Sequence, residues 1–295
     1  MSPLLVVGNA VLDIILSVDH FPAEDEEMRA SARQATLGGN AANTAQVLAG
    51  LGHSVSLLAS LAPDADAVEL RRLLTAAGVD IHSMVIAAAG HTPVSYILLH
   101  EANGSRTIVH HRDLAELAFE DFRALLLHRY GWIHFEGRNV AEVARMMRHL
   151  RARSFAGRIS VEIEKDRPGI ETLMAQADLV LFSRAFAQAR GHSTAAALLA
   201  AMRPLAPQAM LSCTWGEQGA WALDDAGQLH HGPASPPARV VDTIGAGDVF
   251  NAGMIAALSG GADLPAALAA ANELAGRKVG QRGFAGLNRL SLPTP

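Results

Sequence analysis

The chain has 295 residues, half of them hydrophobic and 18% charged, which predicts a soluble globular protein with ample apolar material for a core. A net charge of −5 argues against nucleic acid or an anionic membrane as partner. The single cysteine, Cys213, leaves no intrachain disulfide to form and fits a reducing, cytoplasmic setting.

The opening stretch MSPLLVVGNAVLDIIL lacks a basic segment, and Asn9 and Asp13 interrupt its apolar run. It therefore predicts a buried strand over 3–8 rather than a targeting segment. Residues 11–36 alternate apolar and polar around HFPAEDEE, and 93–100 and 105–111 flank an Asn-Gly pair. Both regions read as extra strands of a small sheet, either a lid or an ordinary edge hairpin. Further buried strands are predicted at 54–60, 131–137, 158–164, 178–183 and 208–215. Amphipathic stretches at 39–51, 66–78, 139–152, 168–176 and 193–202 separate them. Strands alternating with helices imply an α/β fold whose parallel sheet is covered on both faces. Residues 245–280 read as two helices broken at SGGADLP. No apolar run is long enough to span a bilayer. No repeat or linker divides the chain, so 1–295 is read as one domain.

Two stretches carry chemistry. In VVDTIGAGDVFNAGM, Gly245, Ala246 and Gly247 precede Asp248 and an apolar helical pattern. Small residues at a helix N-terminus expose unpaired N–H groups at the positive end of the helix dipole, which suits a phosphate. Asp248 beside that anion either stabilises the helix start or takes a proton from an attacking hydroxyl. Neither a P-loop nor a dinucleotide fingerprint occurs. In LGGNAANTAQVLAGLG, Asn40 and Asn43 share one face near a helix start after Gly38 and Gly39. Their amides suit a polyhydroxylated ligand, although Asn40 is also a natural N-cap. Asp13 offers a carboxylate to sugar hydroxyls, or is a turn residue.

GGNAAN together with DTIGAGD resembles the two signature regions of the ribokinase (PfkB) family of sugar and nucleoside kinases. The narrower likeness, in AVLDII, FPAEDEEMR, EANGSRTI, WIHFEGRN, VEIEK and QRGFAG, is to the ketohexokinase branch, which makes fructose 1-phosphate from D-fructose. The resemblance implies a three-layer α/β/α ribokinase-like body with a small β-sheet lid, and ATP as phosphoryl donor. It implies Asp248 as catalytic base and Gly245, Ala246 and Gly247 as an anion hole. Asp13, Gly39, Asn40 and Asn43 match sugar-binding positions, Arg106 an arginine reaching phosphates and sugar, and Glu136 a substrate-side position. Asp25 matches a lid acid that enters the partner subunit's site, implying a homodimer joined through its lids. Gly216, Gly219, Pro236, Pro237, Phe250, Asn251 and Val279 match the nucleotide's surroundings, and Lys165 a phosphate contact. Asp242 and the Ile244 carbonyl lie where related kinases hold an activating K+. The N-x-x-E segment that organises Mg2+ in many members is absent from FSRAFAQARG, leaving Glu162 and Glu164 as candidates for that metal. A related kinase acting on ribose, tagatose, a keto-deoxy sugar acid or a nucleoside, or a non-catalytic sensor on the same scaffold, are the alternative readings.

Overall fold

Strand β1 (Leu4–Val7) sends Leu4 and Val6 into one apolar cluster and Leu5 and Val7 into another. Successive strand side chains point to opposite faces, so a strand apolar at every position needs cover on both. The structure, a computed structural model, describes residues 2–290. It supplies that cover as three layers.

β1 runs into β2 (Val11–Val18), then β3 (Ala32–Gly38), helix α1 (Asn40–Gly50), β4 (Val55–Leu58), β5 (Ser60–Leu61) and α2 (Ala65–Ala76). β6 (Val85–Ile86), β7 (Val94–His100) and β8 (Arg106–His111) lead to α3 (Phe119–Arg123) and β9 (Trp132–Glu136). Next come α4 (Val140–Ala152), β10 (Arg158–Ile163), α5 (Glu171–Met174), β11 (Leu179–Phe182), α6 (Arg184–Ala189) and α7 (Ala195–Met202). β12 (Met210–Thr214), β13 (Ala220–Leu223), β14 (Leu229–Gly232), α8 (Ala246–Ser259) and α9 (Leu264–Val279) follow.

The main sheet has the order β14-β13-β12-β11-β10-β9-β1-β4. The run from β12 to β4 is parallel, and β13 and β14 add antiparallel edges. Helices α1, α2, α8 and α9 cover one face, and α3 to α7 the other. Alanines and glycines let α8 and α9 approach closely: a Cβ on Gly253 would lie 2.9 Å from the Ala271 Cα. The second sheet, β3-β2-β7-β8, is the expected small sheet. Leu12, Ile14 and Val94 pack its far face with Leu73 of α2, while Asp13 and Ser95 pair on the opposite face.

The ribokinase-like α/β/α fold with a lid is thus as expected, with local differences. The stretch predicted helical over 168–176 shortens to α5, because Gly169 takes a left-handed φ of 75° just ahead of it. The β13–β14 hairpin, the short β5–β6 pair, α3 and α6 were not predicted; each is too short for its periodicity to stand out.

Candidate active site

The carboxyl ends of β10, β11 and β12 and the start of α8 enclose a cavity of about 260 Å³. Ligands of open α/β sheets bind at such strand ends. Its lining includes Glu162, Glu164, Ser183, Thr214, Thr243 and the whole turn from Gly245 to Asp248. Gly245 caps α8 at a left-handed φ of 72°, and a Cβ there would fall 2.5 Å from the Phe284 ring. Only glycine meets both demands. A Cβ on Gly247 would meet nothing within 4 Å, so this part of the turn faces open space. The Ala246 N–H already reaches back to the Thr243 carbonyl at 3.3 Å, so its share in an anion hole requires that long bond to yield.

Asp248 sits in the first turn of α8 and is 6% exposed. Its Oδ2 accepts a hydrogen bond from Asn43 Nδ2 at 2.8 Å. Burial pushes its carboxyl up to about 8; the Asn43 bond opposes this, and the charges of Glu136, Glu164 and Asp13 add to it. Glu162 is driven well above the usual carboxylate range, first by burial and then by Asp248, Glu136 and Glu164. Asn251 Nδ2 donates to Glu162 Oε1 at 3.0 Å. Asn40 Nδ2 donates to Glu162 Oε2 at 3.1 Å and to Glu164 Oε2 at 3.3 Å. A wall of carboxylates facing a phosphate-shaped turn calls for cations between them. A divalent hard cation shared with substrate phosphates needs only one or two protein carboxylates. Glu162 and Glu164 retain lone pairs for it, so the donor set fits Mg2+.

A second cavity, of about 100 Å³, lies between the lid and the 241–244 loop, lined by Asp13, Ile15, Ser17, Ile244 and Phe284 among others. Asp13 is 7% exposed, and burial pushes its carboxyl up to about 6 against a lowering bond from Ser95. Its Oδ1 is buried with no hydrogen-bond partner among the described residues. Such an orphan acceptor is costly unless a ligand donor meets it. Gly38 makes the room: a Cβ there would lie 2.2 Å from this carboxylate.

The structure sorts the residues singled out in the sequence. Asn40 is the first residue of α1, not its cap; Gly39, at φ 87°, holds the cap position. Asn40 faces the carboxylates of the first cavity, and Asn43 is taken up by Asp248 and by Gln46. Both amides act on acids of the chain itself. Arg106 is exposed at the start of β8, and its guanidinium donates to Thr243 Oγ1 at 3.0 Å, tying the lid to the loop before α8. Glu136 is buried at the end of β9, raised by burial, with Oε2 accepting from the Asn9 N–H at 2.8 Å; it lines neither cavity. Asp25 lies in the exposed β2–β3 connection at φ 63°, away from both cavities.

On the nucleotide side, Phe250 is 2% exposed and packs in the core. Asn251 Nδ2 is turned to Glu162. The Val279 carbonyl accepts from the Val241 and Asp242 N–H groups at 2.8 and 3.2 Å. Gly216 and Gly219 bracket the β12–β13 turn, where a Cβ on Gly219 would fall 2.1 Å from the Gly232 carbonyl oxygen. Pro236 is exposed, and Pro237 abuts Gly280. Lys165 is exposed, 3.9 Å from Glu164.

The expected K+ position is where the residues do not fit. Lys278 Nζ donates to Asp242 Oδ2 at 2.6 Å and to the Asp242 carbonyl at 3.1 Å, while Oδ1 accepts from the Ile244 N–H at 2.9 Å. Sequence reasoning passed over Lys278. The signal was present: Leu264, Ala267, Ala271 and Leu274 mark the buried stripe of α9, and position 278 continues it.

The model of the pfkB family carbohydrate kinases matches residues 1–289. Ketohexokinase of Mus musculus is 38% identical over 292 residues, covering 96% of this chain and 98% of its own. An ATP-dependent ribose-1-phosphate kinase of Halopiger xanaduensis is 38% identical over 99 residues, 34% of this chain and 33% of its own. Among solved structures, Arabidopsis thaliana ribokinase complexed with ribose and ATP superposes with TM-score 0.81 at 20% identity, over 96% of this chain and 94% of its own. Giardia lamblia ribokinase gives TM-score 0.83 at 16% identity, over 98% and 97%. The chain belongs to the pfkB family and is an ATP-dependent carbohydrate kinase.

Proposed function

We propose that this kinase transfers the γ-phosphoryl group of ATP to the primary C1 hydroxyl of a ketohexose, D-fructose above all, giving fructose 1-phosphate. The observation that carries the chemistry is Asp248, a buried carboxyl in the first turn of α8 behind a left-handed glycine. The choice of ketohexose rests on the likeness to Mus musculus ketohexokinase along nearly the whole chain.

The sugar enters the lid-side cavity and donates a hydroxyl to Asp13 Oδ1. The lid closes, and Arg106 follows its bond to Thr243 toward the phosphates. Asn43 holds Asp248 Oδ2, and Oδ1 takes the proton of the attacking hydroxyl as it approaches phosphorus in line. The N–H groups of the 245–247 turn stabilise charge on the transferring group. Mg2+ held by Glu162 and Glu164 would neutralise phosphate charge. Asn40 and Asn251 keep those two carboxylates in place.

The lid also supports a homodimer joined lid to lid. Tyr96, Ile108 and Val109 of its strands stay 50, 49 and 62% exposed, and Asp25 projects from the same region. In that assembly Asp25 reaches the partner's sugar site. The ATP demand and the buried thiol of Cys213 fit a cytoplasmic enzyme.

ADP release measured across fructose, tagatose, ribose, nucleosides and keto-deoxy sugar acids tests the assignment, with phosphorus NMR locating the new ester. Preferred turnover of fructose with phosphate on C1 is expected. Preference for ribose or a nucleoside, or a C6 ester, overturns it.

A further inference from the structure

Asp242 and the Ile244 carbonyl are where the family likeness implies a potassium ion, and a cation of the chain itself stands on Asp242. Lys278 is 0% exposed at the end of α9. A buried ammonium has to place its N–H groups on acceptors. Two go to Asp242, at 2.6 Å to Oδ2 and 3.1 Å to the carbonyl. The Phe284 ring face lies 5.3 Å from Nζ, a favourable partner for a cation.

The consequences run directly to the phosphate turn. Asp242 Oδ1 takes the Ile244 N–H and Oδ2 the Gly283 N–H at 3.3 Å, so one carboxylate clamps the chain on both sides of the site. Gly245, against which Phe284 packs, comes three residues after Asp242. Lys278 therefore neutralises Asp242, orders the 242–245 loop and seats Phe284 from below. A free monovalent cation would do such work at an open site; here the Asp242 oxygens it would use already accept from Lys278.

We infer that Lys278 is a tethered substitute for the monovalent cation, a positioning residue that makes this kinase independent of potassium. The inference goes beyond the choice of sugar and holds for whichever sugar the enzyme prefers.

The test begins with the unaltered enzyme, assayed by ADP release with its best sugar while KCl replaces choline chloride at a constant ionic strength of about 0.1 M, where general screening does not change. Turnover and KM for ATP are expected to stay flat. Lys278→Ala opens the site, and its turnover in choline chloride is expected to fall roughly 10- to 100-fold through misplacement of the turn. KCl or ammonium chloride should restore much of it, and KCl should raise the melting temperature of this variant but not of the unaltered enzyme. Lys278→Arg, which keeps the charge, should remain insensitive to KCl. Activation of the unaltered enzyme by KCl overturns the inference, whether or not the variants fold. So does a Lys278→Ala protein that is fully active in choline chloride, or one that KCl neither stabilises nor restores.

Discussion

Replacing Asp248 by Asn keeps the shape of the side chain, leaves Asn43 an oxygen to donate to, and removes the titrating group. Burial lifts this carboxyl from 3.8 to about 8. Between those values the unfolded chain has released the proton and the folded protein still holds it. Stability therefore falls as pH rises through this window, and below it there is no penalty. At 1.36 kcal/mol per pH unit, the cost reaches roughly 4 kcal/mol at pH 7 and levels off near 6 kcal/mol above pH 8, as upper bounds. Relaxation and water entry around the buried group leave about 1–3 kcal/mol of this to be recovered by D248N. That is a rise in melting temperature of roughly 2 to 5 °C for a chain of this size. Thermal denaturation of both proteins at pH 5, 7 and 8.5 measures it. The gap should widen with pH, while turnover of D248N falls roughly 10²- to 10⁴-fold for want of a base. A D248N protein less stable than its parent, or a gap constant in pH, would refute the electrostatic account. Near-normal turnover would remove Asp248 from the chemistry.

Other outcomes follow from the same geometry. kcat/KM should rise with pH and level off only above about 8, since the free enzyme must lose the Asp248 proton before it acts as a base; a profile already flat at pH 6 contradicts this. Asn43→Ala removes the bond that lowers the Asp248 carboxyl, so that rising limb should move to higher pH and turnover should drop about tenfold. Asp13→Asn should raise KM for the sugar roughly 10- to 100-fold, the weight of a hydrogen bond to a charged acceptor, with little change in KM for ATP; steady-state kinetics in both substrates separates the two. Gly245→Ala meets both a positive φ and the Phe284 ring, and should cost about 1–3 kcal/mol in thermal denaturation together with most of the activity.

The layered fold was legible because its buried strands are apolar at nearly every position and its long helices keep their stripe. The site was legible where backbone geometry dictates residue type, as at Gly245, or where an acid stands against local expectation, as at Asp248. It was less legible where one polar side chain serves another across the fold. Asn40 and Asn43 read as ligands for a sugar because sequence spacing shows a shared helix face. It does not show that the same amides also meet Glu162, 122 positions after Asn40, and Asp248, 205 positions after Asn43. Phe250 shows the converse. The family likeness marked it for the nucleotide's surroundings, and only the fold shows how deeply its ring packs into the core. Lys278 was hidden by its charge, since a lysine near a helix C-terminus ordinarily reads as a solvated end.

The near contact of α8 and α9 bears on how the enzyme moves. Asp248 and the lysine that anchors its loop ride on helices with no room for even a methyl group between Gly253 and the Ala271 backbone. Such a pair behaves as one rigid block, a fixed reference frame against which the incoming hydroxyl is measured. In the proposed mechanism, motion then falls to the lid, whose Arg106 meets that frame at Thr243 through a solvent-exposed bond that water can replace.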